Sequence, residues 1–312
     1  MHKIVTIGEI LVEIMAIEPG NGFSGPIPLV GPFPSGAPAI FIDQVARLGQ
    51  PAGIIGCVGD DDFGRLNLAR LAADGVDVSA VGIEPELPTG SAFVRYRTDG
   101  TRDFVFNIKH SASGALRPDS RTDALLAGAD HLHVMGSSLF APEIVAMTLS
   151  ALEAIKARGG TVSFDPNIRK EMLALPGLKL ALDRVLAEAD LFLPSGEELS
   201  LFAPAAEESD AVADLLDRGV SAVVLKRGAA GASYYGTTET HHMRAFEVNE
   251  VDPTGAGDCF AGAFVTGWLR GLPHSETLAM ACAAGALAVT RKGPMEGAAT
   301  SEAIAALLAS RS

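Results

Sequence analysis

Basic charge is scarce in this chain: 24 Lys and Arg stand against 38 Asp and Glu, a net charge of −14. Nucleic acids and anionic membranes select basic surfaces, so neither is expected as a partner. No stretch of 18 consecutive apolar residues occurs, so no transmembrane helix is expected. The opening "MHKIVTIGEILVEIM" alternates like a strand and lacks a signal-peptide cleavage pattern, which points to the cytoplasm. Cysteine is limited to Cys57, Cys259 and Cys282, an odd set without a C-x-x-C pair, each in an apolar segment. They read as buried thiols in a reducing compartment. Three common motifs are missing too: the G-x-x-x-x-G-K-[ST] loop, a G-x-G-x-x-G after a strand, and the protein-kinase motif set. His241-His242 has no spaced Cys or acidic partners and reads as surface rather than as a metal site.

What is present is a long α/β rhythm. The 312 residues suffice for one large α/β domain with a small appendage. Buried-strand signals stand at 3–8, 52–59, 131–136, 161–167, 189–195 and 221–228. Helical stretches separate them, including 36–49, closed by Gly49, and 61–75, with an Asp-rich start and a Gly stop. This alternation predicts a mostly parallel sheet covered by helices, with ligands beyond the carboxyl ends of the strands. Asp165, Asn167, Ser195, Lys226 and Arg227 close those strands.

Two segments break the rhythm. Asp99-Gly100 sits between two β-rich runs in 89–110, a hairpin signal. Residues 18–36 are rich in Gly and Pro. Together they predict a small β lid formed by 12–34 and 89–109, standing off a large domain of 1–11, 35–88 and 110–312.

The chemistry concentrates in "EVDPTGAGDCFAGAF" (250–264). Pro253 disfavours helix at Asp252, so a helix must begin after it. Gly255, Ala256 and Gly257 leave their backbone almost bare. The first N–H groups of a helix lack internal partners and lie at its positive end, which makes an anion cradle. Asp258 falls in the first turn beside that cradle, where it is expected to be ionised at neutral pH.

"VDPTGAGDCFAGAFVTGWLRG" (251–271) resembles the C-terminal signature of the ribokinase-like (PfkB) carbohydrate kinases. "PSGAPAIFIDQVARLG" (34–49) is similar to their N-terminal signature, with Ser35 in place of a Gly and Ile40 in place of an Asn. "GEILVE", "VGDDDFG", "FDPNIR", "PSGEEL" and "VVLKRGAAGA" follow in the family's order. The resemblance implies a ribokinase-like α/β/α fold with a β lid, and an ATP-dependent kinase acting on a sugar hydroxyl. It implies Asp258 as catalytic base and Gly255, Ala256 and Gly257 as the anion hole. It implies Glu198 in indirect placement of Mg²⁺, with Ser195 where the family has an Asn. Lys226, Gly228, Gly231 and Cys282 fall at the nucleotide site. Some members need K⁺ beside the anion hole.

The acceptor side is less explicit. By the same resemblance Glu13 holds sugar hydroxyls, and Gly36 lets the backbone approach the sugar, with Ser35 adding a hydroxyl. Asn107, at the base of the lid, and Asn167 and Arg169, at a strand end, complete the set; Arg169 could meet a substrate carboxylate or a phosphate. Arg95, Arg97, Arg102 and Lys109 gather positive charge on the hairpin, and their direction decides whether the acceptor is anionic. Outward arginines are the commoner outcome. The expectation is therefore a neutral ketohexose such as tagatose or fructose. The alternatives are 2-keto-3-deoxygluconate, a nucleoside or sugar phosphate, or a catalytically silent sugar-binding regulator. A homodimer through the lid is a further expectation.

Overall fold

The structure is a computed structural model that describes residues 1–20, 22–99, 102–168, 172 and 175–310. The chain opens with β1 (Ile4–Ile7), β2 (Leu11–Ala16) and β3 (Leu29–Ser35), followed by α1 (Ala37–Arg47), β4 (Ala52–Gly59) and α2 (Asp62–Ala73). Then come β5 (Val76–Asp77), β6 (Val81–Glu84), β7 (Gly90–Tyr96) and β8 (Arg102–Asn107). The middle alternates: α3 (Ser120–Ala127), β9 (His131–Met135), α4 (Pro142–Ala157), β10 (Thr161–Asp165), α5 (Leu178–Glu188) and β11 (Leu191–Phe192). It continues with α6 (Gly196–Phe202), α7 (Glu208–Asp217), β12 (Ala222–Lys226), β13 (Ala232–Gly236) and β14 (Thr240–Met243). Three helices close it: α8 (Ala256–Leu269), α9 (His274–Ala288) and α10 (Ser301–Ala309).

The large sheet runs β14-β13-β12-β11-β10-β9-β1-β4-β5, with β6 also on β4. From β12 to β5 neighbouring strands are parallel; β13 and β14 add an antiparallel edge. Helices cover both faces, which is why the central strands are apolar throughout rather than alternating. One core lies under α1, α8 and α9, the other under α4, α5 and α7. Small residues let the helices of the first layer approach: a Cβ on Gly262 would lie 2.7 Å from the Phe41 carbonyl oxygen. The helix stops follow the sequence, since Gly49 and Gly75 take φ of 73° and 96°, a region open to glycine. Among the described residues, no helix is long and apolar enough to cross a membrane.

A second sheet stands apart, in the order β3-β2-β7-β8. Its central pair, β2 and β7, is parallel, so the chain enters it twice from the body. Its register sorts the side chains by face, because residues opposite each other share one. Phe33, Glu13, Ala92 and Phe106 form one row, and Val30, Met15, Val94 and Phe104 the next on the same face. Tyr96 and Arg102 continue that face, whereas Ile14, Phe93, Arg95, Asp103, Val105 and Asn107 point the other way. Of Phe93 and Phe104, either of which could face outward from the sequence alone, Phe93 points outward and Phe104 inward, set by a register that the hairpin sequence does not reveal.

The inner face lies on the body. The Tyr96 hydroxyl donates to Asp252 Oδ1 at 2.5 Å, and Arg102 Nη1 reaches Thr254 Oγ1 at 3.4 Å. Phe33 packs on Gly293, where an added Cβ would meet its ring at 2.7 Å.

Candidate active site

The carboxyl ends of β10, β11 and β12 and the N-terminus of α8 converge below the lid. Asp165 ends β10. Its Oδ1 accepts the Asn167 N–H at 3.2 Å, an Asx-type turn across Pro166. That turn puts Asn167 in the left-handed region at φ 40°, which asparagine tolerates better than most residues. Asn167 Nδ2 then donates to Asp258 Oδ1 at 3.0 Å. A side chain at the end of one strand thereby orients a carboxylate 91 residues away.

Asp258 lies in the first turn of α8, buried at 9% exposure. Gly255 caps the helix with φ 82°. A Cβ there would stand 2.3 Å from the Pro294 carbonyl oxygen and 3.3 Å from Ile40 Cγ2. Ile40 is therefore a core contact beneath the loop, which accounts for an apolar residue at that place in α1. The first i→i−4 bond runs from Cys259 N–H to the Gly255 carbonyl. The N–H groups of Gly257 and Asp258 precede it, at the positive end of the helix. Ala256 N–H is directed to the Pro253 carbonyl at 3.4 Å, a long contact.

Lys226, at the end of β12, completes the charge arrangement. Its ammonium pairs with Asp165 Oδ2 and lies 3.9 Å from where a Cβ on Gly257 would be. Burial works against the charge of Lys226, but Asp165 and Glu198 outweigh it and hold its pKa up. Burial raises Asp165 to about 6; Lys226 opposes the rise and Glu198 adds to it. At neutral pH the pair is therefore ionised on both sides. Glu198 is fixed in turn: its Oε2 accepts Ser195 N–H and Oγ–H at 2.7 Å, and its Oε1 accepts Ile168 N–H at 2.7 Å. Ser195 and Glu198 thus form the capping box of α6.

The other expected residues divide. Glu13 is buried on the inner lid face and accepts Ser35 Oγ–H at 2.8 Å. Gly36 caps α1 at φ 113°, and a Cβ there would stand 2.4 Å from the Glu9 carbonyl oxygen, so its own chain already demands a glycine. Gly231 is likewise pressed on the Met243 carbonyl, whereas Gly228 (φ 54°) faces open space. Cys282 is buried in α9. Asn107 is not brought to Asp258: it lies on the outer lid face and lines a hollow of about 570 Å³ with Asp61, Asp62 and Lys109. Arg169 lies outside the described residues. Arg227 turns away to Glu208 at 2.6 Å. Sequence reasoning missed the aromatic row of Phe33 and Phe106 beside Glu13.

The arrangement suits a polyanion at the mouth of α8. The first-turn N–H groups of α8, its helix dipole and a fixed ammonium lie together beside a carboxylate. Among the described residues, no cluster of three or more His, Cys, Asp or Glu could hold a metal ion by itself. A Mg²⁺ ion carried mainly by phosphate oxygens and water, with Glu198 acting through water, fits that set.

Comparison with known proteins agrees with the geometry. Residues 1–301 match the pfkB family carbohydrate kinases. A fructokinase of Klebsiella pneumoniae is 38% identical over 301 residues, covering 94% of this chain and 95% of the relative. An E. coli protein provisionally named ribokinase II, solved with ATP and Mg²⁺, superposes with a TM-score of 0.94 at 50% identity, over 99% of this chain and 100% of that one. A fructokinase of Vibrio cholerae, a double mutant solved with fructose, ADP and a potassium ion, gives 0.82 at 26% identity, over 98% of each chain.

Proposed function

The chain belongs to the pfkB family of carbohydrate kinases and is an ATP-dependent sugar kinase, and on that premise we propose that its acceptor is a neutral ketohexose, fructose or its epimer tagatose. The observation that carries this is the inner face of the lid. It sets the half-buried rings of Phe33 and Phe106, over fully buried Met15 and Val94, beside one carboxylate, Glu13. An apolar sugar face packs on such a surface and a carboxylate binds hydroxyls. Arg95 is on the opposite face, and Arg97 pairs with Asp103 at 2.7 Å, also outward. Arg102 faces in, but engages Thr254 and the Phe104 ring, 5.4 Å away. An anionic acceptor such as 2-keto-3-deoxygluconate would want an inward cation, and this face favours the neutral sugar.

In this reading Asp258 accepts the proton of the attacking hydroxyl, and Asn167 orients it. The N–H groups at the start of α8 and the Lys226 ammonium stabilise charge on the transferred phosphoryl group. Lys226, Gly228, Gly231 and Cys282 line the ATP side, and Glu198 positions Mg²⁺ through water. Glu13, Ser35, Gly36 and Asn167 face the sugar. The lid excludes water, which would otherwise compete as acceptor. Val105 and Leu29 leave apolar surface on the outer lid, 48% and 40% exposed, and a second copy of this chain would cover it.

A coupled ADP-release screen over ketoses, aldoses, keto-deoxy acids, nucleosides and sugar phosphates, with and without K⁺, tests the proposal. The highest kcat/KM is expected on a ketohexose. Turnover tenfold better on 2-keto-3-deoxygluconate would overturn the acceptor. ADP release with none of them would favour a silent binding protein.

A further inference from the structure

Asp252 sits immediately before the phosphate-facing loop, and three donors meet on it. Its Oδ1 accepts Thr254 N–H at 3.0 Å and the Tyr96 hydroxyl at 2.5 Å; its Oδ2 accepts Gly293 N–H at 3.0 Å. Asp252 is buried at 1% exposure. Two of these bonds come from the body and join the loops that wall the start of α8. The segment from Thr254 leads into Gly255; the segment from Gly293 leads into Pro294, whose carbonyl presses on Gly255. The third bond comes from the lid. Tyr96 also lies 3.1 Å from Thr254 Oγ1, so one hydroxyl touches both the carboxylate and the loop it holds. Burial and then the Asp252 carboxylate push the Tyr96 pKa up, keeping that hydroxyl a donor at any working pH.

We propose that Tyr96 is a positioning residue that ties lid closure to the geometry of the anion hole, by docking its hydroxyl on the carboxylate that holds Thr254 and Gly293 together. The proposal rests on the kinase reading above. With the lid raised, Asp252 keeps its two backbone donors but loses the third. The loop is then held from the body alone, and Gly255 to Asp258 gain freedom at the moment when no sugar is enclosed. With the lid down, the hole is braced when the acceptor is in place. ATP would therefore meet a fully ordered hole only when a sugar is present to take the phosphoryl group. Arg102, near Thr254 Oγ1, supports the same contact from the next strand.

The test is Tyr96→Phe, which removes one oxygen and keeps the ring. A hydrogen bond to a charged group is worth about ten- to a hundredfold in an equilibrium. The sugar kcat/KM is expected to fall by about that factor, and it is insensitive to slow product release. ATP affinity without sugar is expected to stay within about twofold, which a merely structural defect would not spare. Hydrogen exchange of the peptide spanning 252–256 supplies a readout that needs no turnover. With a saturating ketohexose and no nucleotide, so that the lid is down, it is expected to speed up in the variant, while peptides of the distant β13–β14 edge exchange unchanged. Wild-type kcat/KM in the variant, or unchanged exchange at 252–256, would overturn the proposal, as would ATP affinity falling in step with kcat/KM. If the wild-type protein turned over no sugar at all, the kinase reading would fail, and the exchange measurement alone would decide for or against the contact.

Discussion

Replacing Asp258 by Asn isolates the carboxylate from its surroundings. The site already gives that residue an amide donor, Asn167 Nδ2, at 3.0 Å from Oδ1. An asparagine can present its carbonyl oxygen to that donor, so the side chain keeps its orientation and volume. What disappears is the negative charge and the ability to take a proton. A positioned general base contributes about 10² to 10⁴ in rate, or roughly 3–5 kcal/mol of barrier. The lower end is expected here, because phosphoryl transfer has a loose transition state with little need for early deprotonation. We expect kcat on the best sugar to fall at least about 10²-fold. Sugar KM should change by a small factor, and ATP binding should hold, because in the proposed reading Asp258 faces the acceptor. Coupled ADP release gives kcat and KM, calorimetry gives ATP affinity, and thermal unfolding checks the fold. A variant with near-wild-type kcat would refute the reasoning and leave Asp258 as a partner of the helix dipole. A joint loss of kcat and ATP affinity would place it on the phosphate side instead.

Gly255→Ala should destabilise the protein by about 1–3 kcal/mol in urea unfolding, given a left-handed backbone and a carbonyl 2.3 Å from the new Cβ, and should lower kcat as the loop shifts. Lys226→Met should destabilise by up to about 3–5 kcal/mol, because Asp165 keeps a buried charge without its partner. Adding Asp165→Asn should recover most of that stability but not kcat, since the ammonium beside Gly257 stays lost; recovery of both would reduce the pair to a structural role. Burial holds His131 down to about 3 and His133 well below its ordinary value. Their folded pKa values lie below the unfolded one, so this contribution is present above about pH 6.5 and is lost as pH falls. Relative to wild type, His133→Gln should therefore gain up to about 1.4 kcal/mol per pH unit between about pH 6 and 4, read from urea midpoints. A constant difference across that range would refute it.

The parts of this molecule that were legible in sequence are those fixed by local backbone chemistry. Pro253 and Gly255 mark the start of α8, and Asp258 follows at a spacing that only a helix turns into proximity. Asp165, Asn167 and Lys226 were legible as strand ends, since parallel strands deliver their last residues to one edge. The lid was visible as an interruption, but its faces were not. Alternation says that Phe106 and Asn107 point opposite ways; only the register with Ala92 and Glu13 says which points inward. A slip of one residue exchanges the two, and the sequence reading chose Asn107. The Tyr96–Asp252 contact spans 156 residues and has no local signal at all. The β13–β14 edge was missed because "ASYYG" and "THHM" are short, and the second is polar.

The parallel pairing at the centre of the lid sets how it can move. Leu11 is opposite both Ser35 and Gly90, and Ser91 is opposite Asn107, so all four crossings between body and lid fall on adjacent rungs. Four strands leaving side by side act as a flat strap: it bends readily across its width and resists twisting or sliding. The lid therefore has in effect one angular coordinate. Tyr96 and Arg102 lie five rungs beyond Ser91 and Asn107, a lever arm of about 17 Å at about 3.4 Å per residue. A tilt of about 20° then displaces the tip by about 6 Å on that arm, enough to separate every polar contact it makes, while the rungs beside the strap move by under about 2 Å. Small rotations are thus read almost entirely at the far end, where the lid meets the loop beneath it, and Glu13, close to the axis, stays near its place throughout the swing.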